Sequence, residues 1–273
     1  MMGVGGVEVS SVSHRSRQHV DENEYHAWVK THVPQPPAQW ERMGAYRRFV
    51  EHWPDLEEWF AAPLPVRLGF VGEGMRSNGR TESHRASGYL VYLSMAKGIG
   101  LDFDFLLGRK YARLFDRRGG SAGLGVDLVL FDQWVARLTQ LGHSGVNARN
   151  GLIWSLGRLM LYRGDSDLTA ITAEDLFAFG SAIRAFGARE DFNTLRRILF
   201  TNGQFRDDDE ANVRFLRNQL GKLHGTHVLL FNIGQVAVEP RKGTQTIENW
   251  ADHLLPEPCP PKIRVVVEKY LGL

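Results

Sequence analysis

The sequence predicts an all-α protein, one or two helical bundles behind a poorly ordered N-terminal tail. Three observations predict it. Apolar residues recur at the helical period, as in Leu152, Ile153, Leu156, Leu159 and Met160, which share one stripe of a helix. Glycines stand where such stripes end, at Gly98, Gly142 and Gly187, the place where a left-handed residue closes a helix. Thr172 precedes a first turn holding Glu174 and Asp175, where free backbone N–H groups and the helix dipole favour side-chain oxygens and anions.

Taken in order, residues 1–39 read as a flexible tail closed by the stiff proline-rich stretch VPQPPAQ, Val33 to Gln39. A first helical domain is expected over 40–118. Trp40, Met43, Tyr46, Phe49 and Val50 share a stripe, and Pro54 suits the first turn of a helix carrying Leu56, Trp59 and Phe60. Gly69 to Gly79 holds four glycines in eleven residues and reads as a loop. A helix then runs from Ser83 through Leu90 and Leu93 to Gly98, and helical pattern resumes around Leu106, Tyr111 and Phe115. After the glycine-rich break GGSAGLG, a second domain is expected over 126–238. Its helices carry Phe131, Trp134 and Leu138, then Arg149 to Arg163, then Thr172 to Phe186. Asn193 to Phe200 follows, and then a helix with Asp208 and Asp209 at its start and Val213, Leu216, Leu220 and Leu223 on one side. Thr226 to Val238 is apolar enough for a buried strand, but its helical surroundings favour a buried helix. Residues 239–273 read as a linker and the start of a further amphipathic element, so the chain resembles the front of something larger. A match between Gly88 and Gly151, with Leu90 and Leu93 aligned on Ile153 and Leu156, hints at duplicated architecture.

Composition narrows the function classes. The chain has 273 residues, 43% of them hydrophobic, and a net charge of +2, so nothing global demands nucleic acid. Locally, Arg76 to Arg118 holds nine basic residues against four acids, a surplus of +5 that suits a phosphate backbone or a solvated helix face. A single cysteine, Cys259, excludes an internal disulfide and a multi-cysteine metal site. No apolar run approaches the roughly 18 residues of a membrane span, and Met1 to Val12 lacks the pattern of a signal peptide. A soluble cytoplasmic protein with no membrane partner and no cofactor is the expectation.

The second domain resembles the core-binding (SAM-like) region of tyrosine recombinases and phage integrases. The counterparts of that region's motifs are the helix Asn147–Tyr162, the start Ile171-Thr172-Ala173-Glu174-Asp175-Leu176, and Asn193-Thr194-Leu195-Arg196-Arg197, over roughly 126–235. The resemblance implies a helical bundle that grips duplex DNA, with a catalytic recombinase domain or subunit as a further partner. Such enzymes cleave with a tyrosine while arginines, a lysine and histidines stabilise the phosphorane-like transition state. Only 38 residues follow Gln235, and no His-x-x-Arg constellation surrounds the last tyrosine, Tyr270, so the chain is not expected to be catalytic on its own. Leu141-Gly142-His143-Ser144 looks like the string preceding the nucleophile in catalytic domains, yet reads better as a helix stop.

The DNA contacts expected from this reading are Arg149, Arg158 and Arg163 from one helix, Arg196 and Arg197 from another, and Arg85 and Lys97 from the first domain. They would bind phosphates, which position without reading sequence. Other chemistry is weaker. Gly3 to Gly6 and Gly69 to Gly74 lack the context of a phosphate loop, and His224 with His227 lacks the further ligands of a zinc site. Asp207 to Glu210 reads as an acidic helix start. The rival reading is a helical protein–protein adaptor without nucleic acid, supported by the modest net charge and that acidic cluster.

Overall fold

The computed structural model describes residues 18–68, 86–108, 112–115, 124–192, 195 and 210–240, and among them there are helices and no strand. The all-α expectation holds. The described residues form two compact units. The first takes 18–68 and 86–108 with 124–126 and 160–166, and the second takes 112–115, 127–159, 167–192, 195 and 210–240. These bounds differ from the expected 40–118 and 126–238 at both edges of the first unit.

The first unit opens with α1 (Glu22–His32), inside the stretch expected to be a flexible tail. The Asp21 carboxylate accepts from the N–H groups of Asn23 (2.8 Å) and Glu24 (3.4 Å). Tyr25 and Val29 are fully buried on its inner face. The prolines do not form a linker: Pro36 and Pro37 open α2 (Pro36–His52), where a fixed φ and a missing N–H suit the first turn. Pro54 lies ahead of the next helix, α3 (Leu56–Ala61), which Asp55 caps through the N–H of Glu57 at 2.9 Å. The short α4 (Leu64–Arg67), α5 (Ser87–Lys97) and α6 (Phe103–Leu107) complete the unit.

Its core is aromatic. The Tyr25 ring lies 5.1–5.2 Å from the rings of Tyr46, Tyr89 and Tyr92, and Trp59 packs edge-on against Phe49 and Phe105. Full burial of a side chain the size of Phe contributes about 1.5–3 kcal/mol, so this cluster explains why 18–39 joins the unit. Trp40 departs from the predicted stripe and is 79% exposed. The Arg67 guanidinium is buried over Trp59 and Phe105 and pairs with both carboxylate oxygens of Asp102, which also caps α6 through the Phe105 N–H at 3.0 Å. Gly98 ends α5 in the left-handed region (φ +71°), and a Cβ on Gly164 would lie 2.7 Å from its carbonyl carbon. Both positions therefore require glycine.

In the second unit, α7 (Leu128–Gln140) buries Phe131, Trp134 and Leu138 as the pattern predicts, with Asp127 as its cap. Gly142 follows at φ +98°. The helix α8 (Gly145–Arg163) runs on through residues 160–163 of the first unit. There the Leu161 carbonyl accepts from the Ser94 hydroxyl (2.8 Å) and the Leu101 N–H (2.9 Å), which is why the end of α8 belongs with the first unit. Thr172 caps α9 (Ala173–Gly187) with a reciprocal capping box: its hydroxyl accepts the Asp175 N–H, and the Asp175 carboxylate accepts the Thr172 N–H. The last helix among the described residues, α10 (Glu210–Asn232), is one continuous element where two segments were expected, and it settles Thr226 onward as helix as far as Asn232. Beyond it, the Gln235 side-chain amide donates to the carbonyls of Leu168 and Ile171, both at 2.9 Å. Of the segment Asn193 to Phe200, only Leu195 is described. No helix among the described residues is long and apolar enough to cross a membrane.

Candidate nucleic-acid interface

The amphipathic reading of α8 puts polar residues on its outer faces, and the structure corrects it at two of them. Ser155 is fully buried, donating to the Gly151 carbonyl (2.9 Å) and sharing a hydrogen bond with the Thr226 hydroxyl of α10. Arg158 is 4% exposed. Its Nη1 donates to the Trp154 carbonyl at 2.9 Å and its guanidinium carbon lies 4.5 Å from the Trp154 ring centroid. An arginine held this way is a packed cation, not a solvent-facing phosphate contact. The stripe fails because α8 is covered on more than one side, with Gly151, Leu152 and every residue from Ser155 to Leu161 buried.

The remaining candidates are engaged with carboxylates. Arg149 Nη1 lies 2.9 Å from Asp132 Oδ1, with the side chains 43% and 36% exposed, and its guanidinium sits 5.2 Å over the Phe131 ring. Arg163 reaches Asp165 at 3.3 Å. Lys97 pairs with Glu24 of α1, whose carboxylate also accepts the Tyr92 hydroxyl at 3.1 Å. Lys97 and then Tyr92 hold the Glu24 carboxyl below its ordinary range, against the opposing effect of desolvation. Arg149 and Arg158 belong to the second unit, Arg163 and Lys97 to the first. Arg85, Arg196 and Arg197 lie outside the described residues, as do Arg109, Lys110, Asp207 to Asp209, Cys259 and Tyr270.

One cation went unnoticed in the sequence. Lys222 of α10 is half-buried, with Nζ 5.2 Å from the centroid of the same Trp154 ring that carries Arg158. Trp154 is itself stacked on Phe179 of α9, 5.2 Å between centroids at 18°. Two cations thus lie close to one indole, and desolvation together with the positive Arg158 pushes the Lys222 ammonium below its ordinary pKa. The Trp154–Arg158 spacing of four residues is visible in a helical sequence. Lys222, 64 residues further on, meets them only through the packing of α8 against α10.

Histidines gather close by. His143 Cε1 lies 3.6 Å from where a Cβ on Gly225 would stand, and His227 Nε2 is 2.8 Å from the Val238 carbonyl. Burial, then the positive charge of His227 and His143, lowers the pKa of His224. Among the described residues no group of three His, Cys, Asp or Glu side chains is placed to hold a metal ion. No protein-family model, curated protein or solved structure matches the chain.

Proposed function

We propose that this chain is a helical module that holds duplex DNA for a site-specific recombination or integration system, and that it does not cleave strands itself. The observation that carries the reading is the state of Arg149 on α8: it is partly exposed, and its carboxylate partner among the described residues, Asp132, is also partly exposed. Exposed pairs of this kind contribute about 0–1 kcal/mol, so a phosphate replaces the carboxylate at little cost. The order of α8, the stop at Gly164 and the Thr172 capping box adds support, since it is the order in which the recombinase core-binding motifs run. Arg149, Arg163 and Lys97 are the proposed contacts among the described residues, with Arg196, Arg197 and Arg85 beyond them. Arg158 supplies charge to the unit from within.

Anisotropy of a labelled duplex, titrated across a salt series, tests this. Affinity should fall steeply with salt for every sequence alike. Replacing Arg149 and Arg163 with Ala should lower the slope of log K against log salt by about 2, near 0.9 per lost phosphate contact. Absence of salt-dependent binding to any duplex overturns the reading. A second reading then applies, a protein–protein adaptor, favoured by exposed Phe177 and Val238, which both meet His227, and by exposed Phe231 on the same helix.

A further inference from the structure

We propose that the solvent face shared by α9 and α10 docks an acidic amphipathic helix of a protein partner, with Phe177 and Arg184 as its anchors. The inference goes beyond the duplex reading, since no residue of this face is among the phosphate contacts proposed above. Both helices belong to the second unit. Leu220, His224, His227 and Phe231 recur at helical spacing and form one stripe of α10. Phe177 and Arg184 stand two turns apart on α9. The Phe177 ring meets His227 edge-on, with 6.1 Å between centroids. Arg184 Nη1 and Leu223 Cδ2 each lie 3.5 Å from where a Cβ on Gly180 would stand, so Arg184 follows the same seam. The face is open: Phe177 is 52% exposed and Phe231 39%, and Leu220, His224 and Arg184 are each partly exposed.

Its chemistry is apolar and cationic at once. Among the described residues, the Arg184 guanidinium has no ion pair or hydrogen bond, and its Nε is buried without an acceptor. Burial alone lowers its pKa. No Asp or Glu follows Asp175 in α9, and none stands between Phe215 and Asn232 of α10, where Arg217, Lys222, His224 and His227 do. An arriving carboxylate accepts from the Arg184 Nη groups in a charge-assisted pair that the chain itself does not supply. The furrow along two antiparallel helices takes a third helix, whose apolar side covers Phe177, Leu220 and Phe231. A duplex backbone brings negative charge but nothing apolar to these side chains. A second copy across a twofold axis would set Arg184 and Arg217 against a like-charged face.

A phage library of helical peptides of about 15 residues, selected on the full chain, tests this. Selected peptides should be rich in Glu and Asp, with apolar residues at helical spacing. By anisotropy of one labelled selected peptide, Phe177→Ser and Arg184→Gln should each weaken binding by about tenfold. Val129→Ser, at an exposed apolar residue of α7 in the same unit, should leave it unchanged. Circular dichroism of the two variants at equal helicity shows that the loss is local. Peptides without net negative charge, affinities indifferent to both variants, or no selected binder overturn the proposal. Displacement of the peptide by a duplex whose own binding needs Arg184 assigns the face to nucleic acid, and self-association abolished by Phe177→Ser assigns it to a second copy. Either overturns the acidic partner. Failure of the duplex reading in its own salt titration leaves this face standing.

Discussion

His19 shows how one side chain sets a pH dependence. Its Nε2 lies 2.6 Å from the Trp53 carbonyl, which can only accept, so that nitrogen carries the proton. Nδ1, 3.0 Å from the Tyr89 hydroxyl, is then the acceptor in the neutral ring. The same hydroxyl accepts the Val20 N–H at 3.2 Å. Protonating Nδ1 would turn a second donor on that oxygen and leave the Tyr89 hydrogen without this acceptor. Burial lowers the His19 pKa from 6.5, against the raising effects of the Trp53 hydrogen bond and Asp55. A folded-state pKa below the unfolded value means the unfolded chain binds the proton better. The native state is therefore favoured fully above about pH 6.5 and loses stability as pH falls from there towards the folded pKa. Urea midpoints at pH 7.5 and 5.5 should differ more for the wild type than for His19→Gln. Equal differences would show that the imidazole is not the titrating group. His224 has the same sign, through burial first and then its histidine neighbours.

Between elements, the seam of α9 and α10 is antiparallel and depends on small residues. A Cβ on Gly187 would lie 2.7 Å from Leu216 Cδ2 and 3.0 Å from its Cγ, and one on Gly180 would lie 3.5 Å from Leu223 Cδ2. One turn from the Gly180 end, Phe177 meets His227 edge-on. Gly187 was expected as a helix stop, and it is the last residue of α9, but its packing role is separate: the close approach of Leu216 requires the missing side chain. Gly187→Val should destabilise the chain by about 1–3 kcal/mol through overpacking. Gly221 on α10 is the contrast, with nothing within 4 Å of its would-be Cβ. Gly221→Ala should stabilise by up to about 1 kcal/mol, the ordinary helix-interior gain. Chemical denaturation of both variants checks the pair, and a destabilised Gly221→Ala would show that space does not govern this seam.

At the scale of the whole molecule, the proposed role is to hold DNA without cutting it. The described tyrosines suit packing better than attack on phosphorus. Tyr25 and Tyr89 are buried, and burial pushes their hydroxyls well above the usual range. Tyr92 is pushed up to about 12 by burial and by Glu24, and Tyr162 is stacked on Phe103 at 3.9 Å. Incubation with a suicide-nicked duplex should accordingly leave no covalent protein–DNA adduct on a denaturing gel. An adduct abolished by Tyr270→Phe would overturn the non-catalytic reading and make the chain a recombinase in its own right.

Local pattern alone determined the helical class, the stripe of α7, the stop at Gly142 and the Thr172 cap of α9. Each rests on interactions within about four residues, and such interactions are written in the sequence. The tail reading passed over α1, although Asp21 stands ahead of Tyr25, Trp28, Val29 and His32 at helical spacing. Only the tertiary structure decided its burial, because the partners of Tyr25 come from α2 and α5. Trp40 and Arg158 make the same point with opposite signs: one is apolar on a predicted stripe and exposed, the other charged on a predicted outer face and buried. Periodicity says which residues share a face, not how many faces are covered. The worth of a cation is equally non-local. Glu24, which pairs with Lys97, stands 73 residues earlier, and Lys222, which joins Arg158 on Trp154, stands 64 later. Charge acts through space over a few ångströms, so a basic residue becomes a ligand contact or an internal ion pair only when the folded chain has chosen its neighbours.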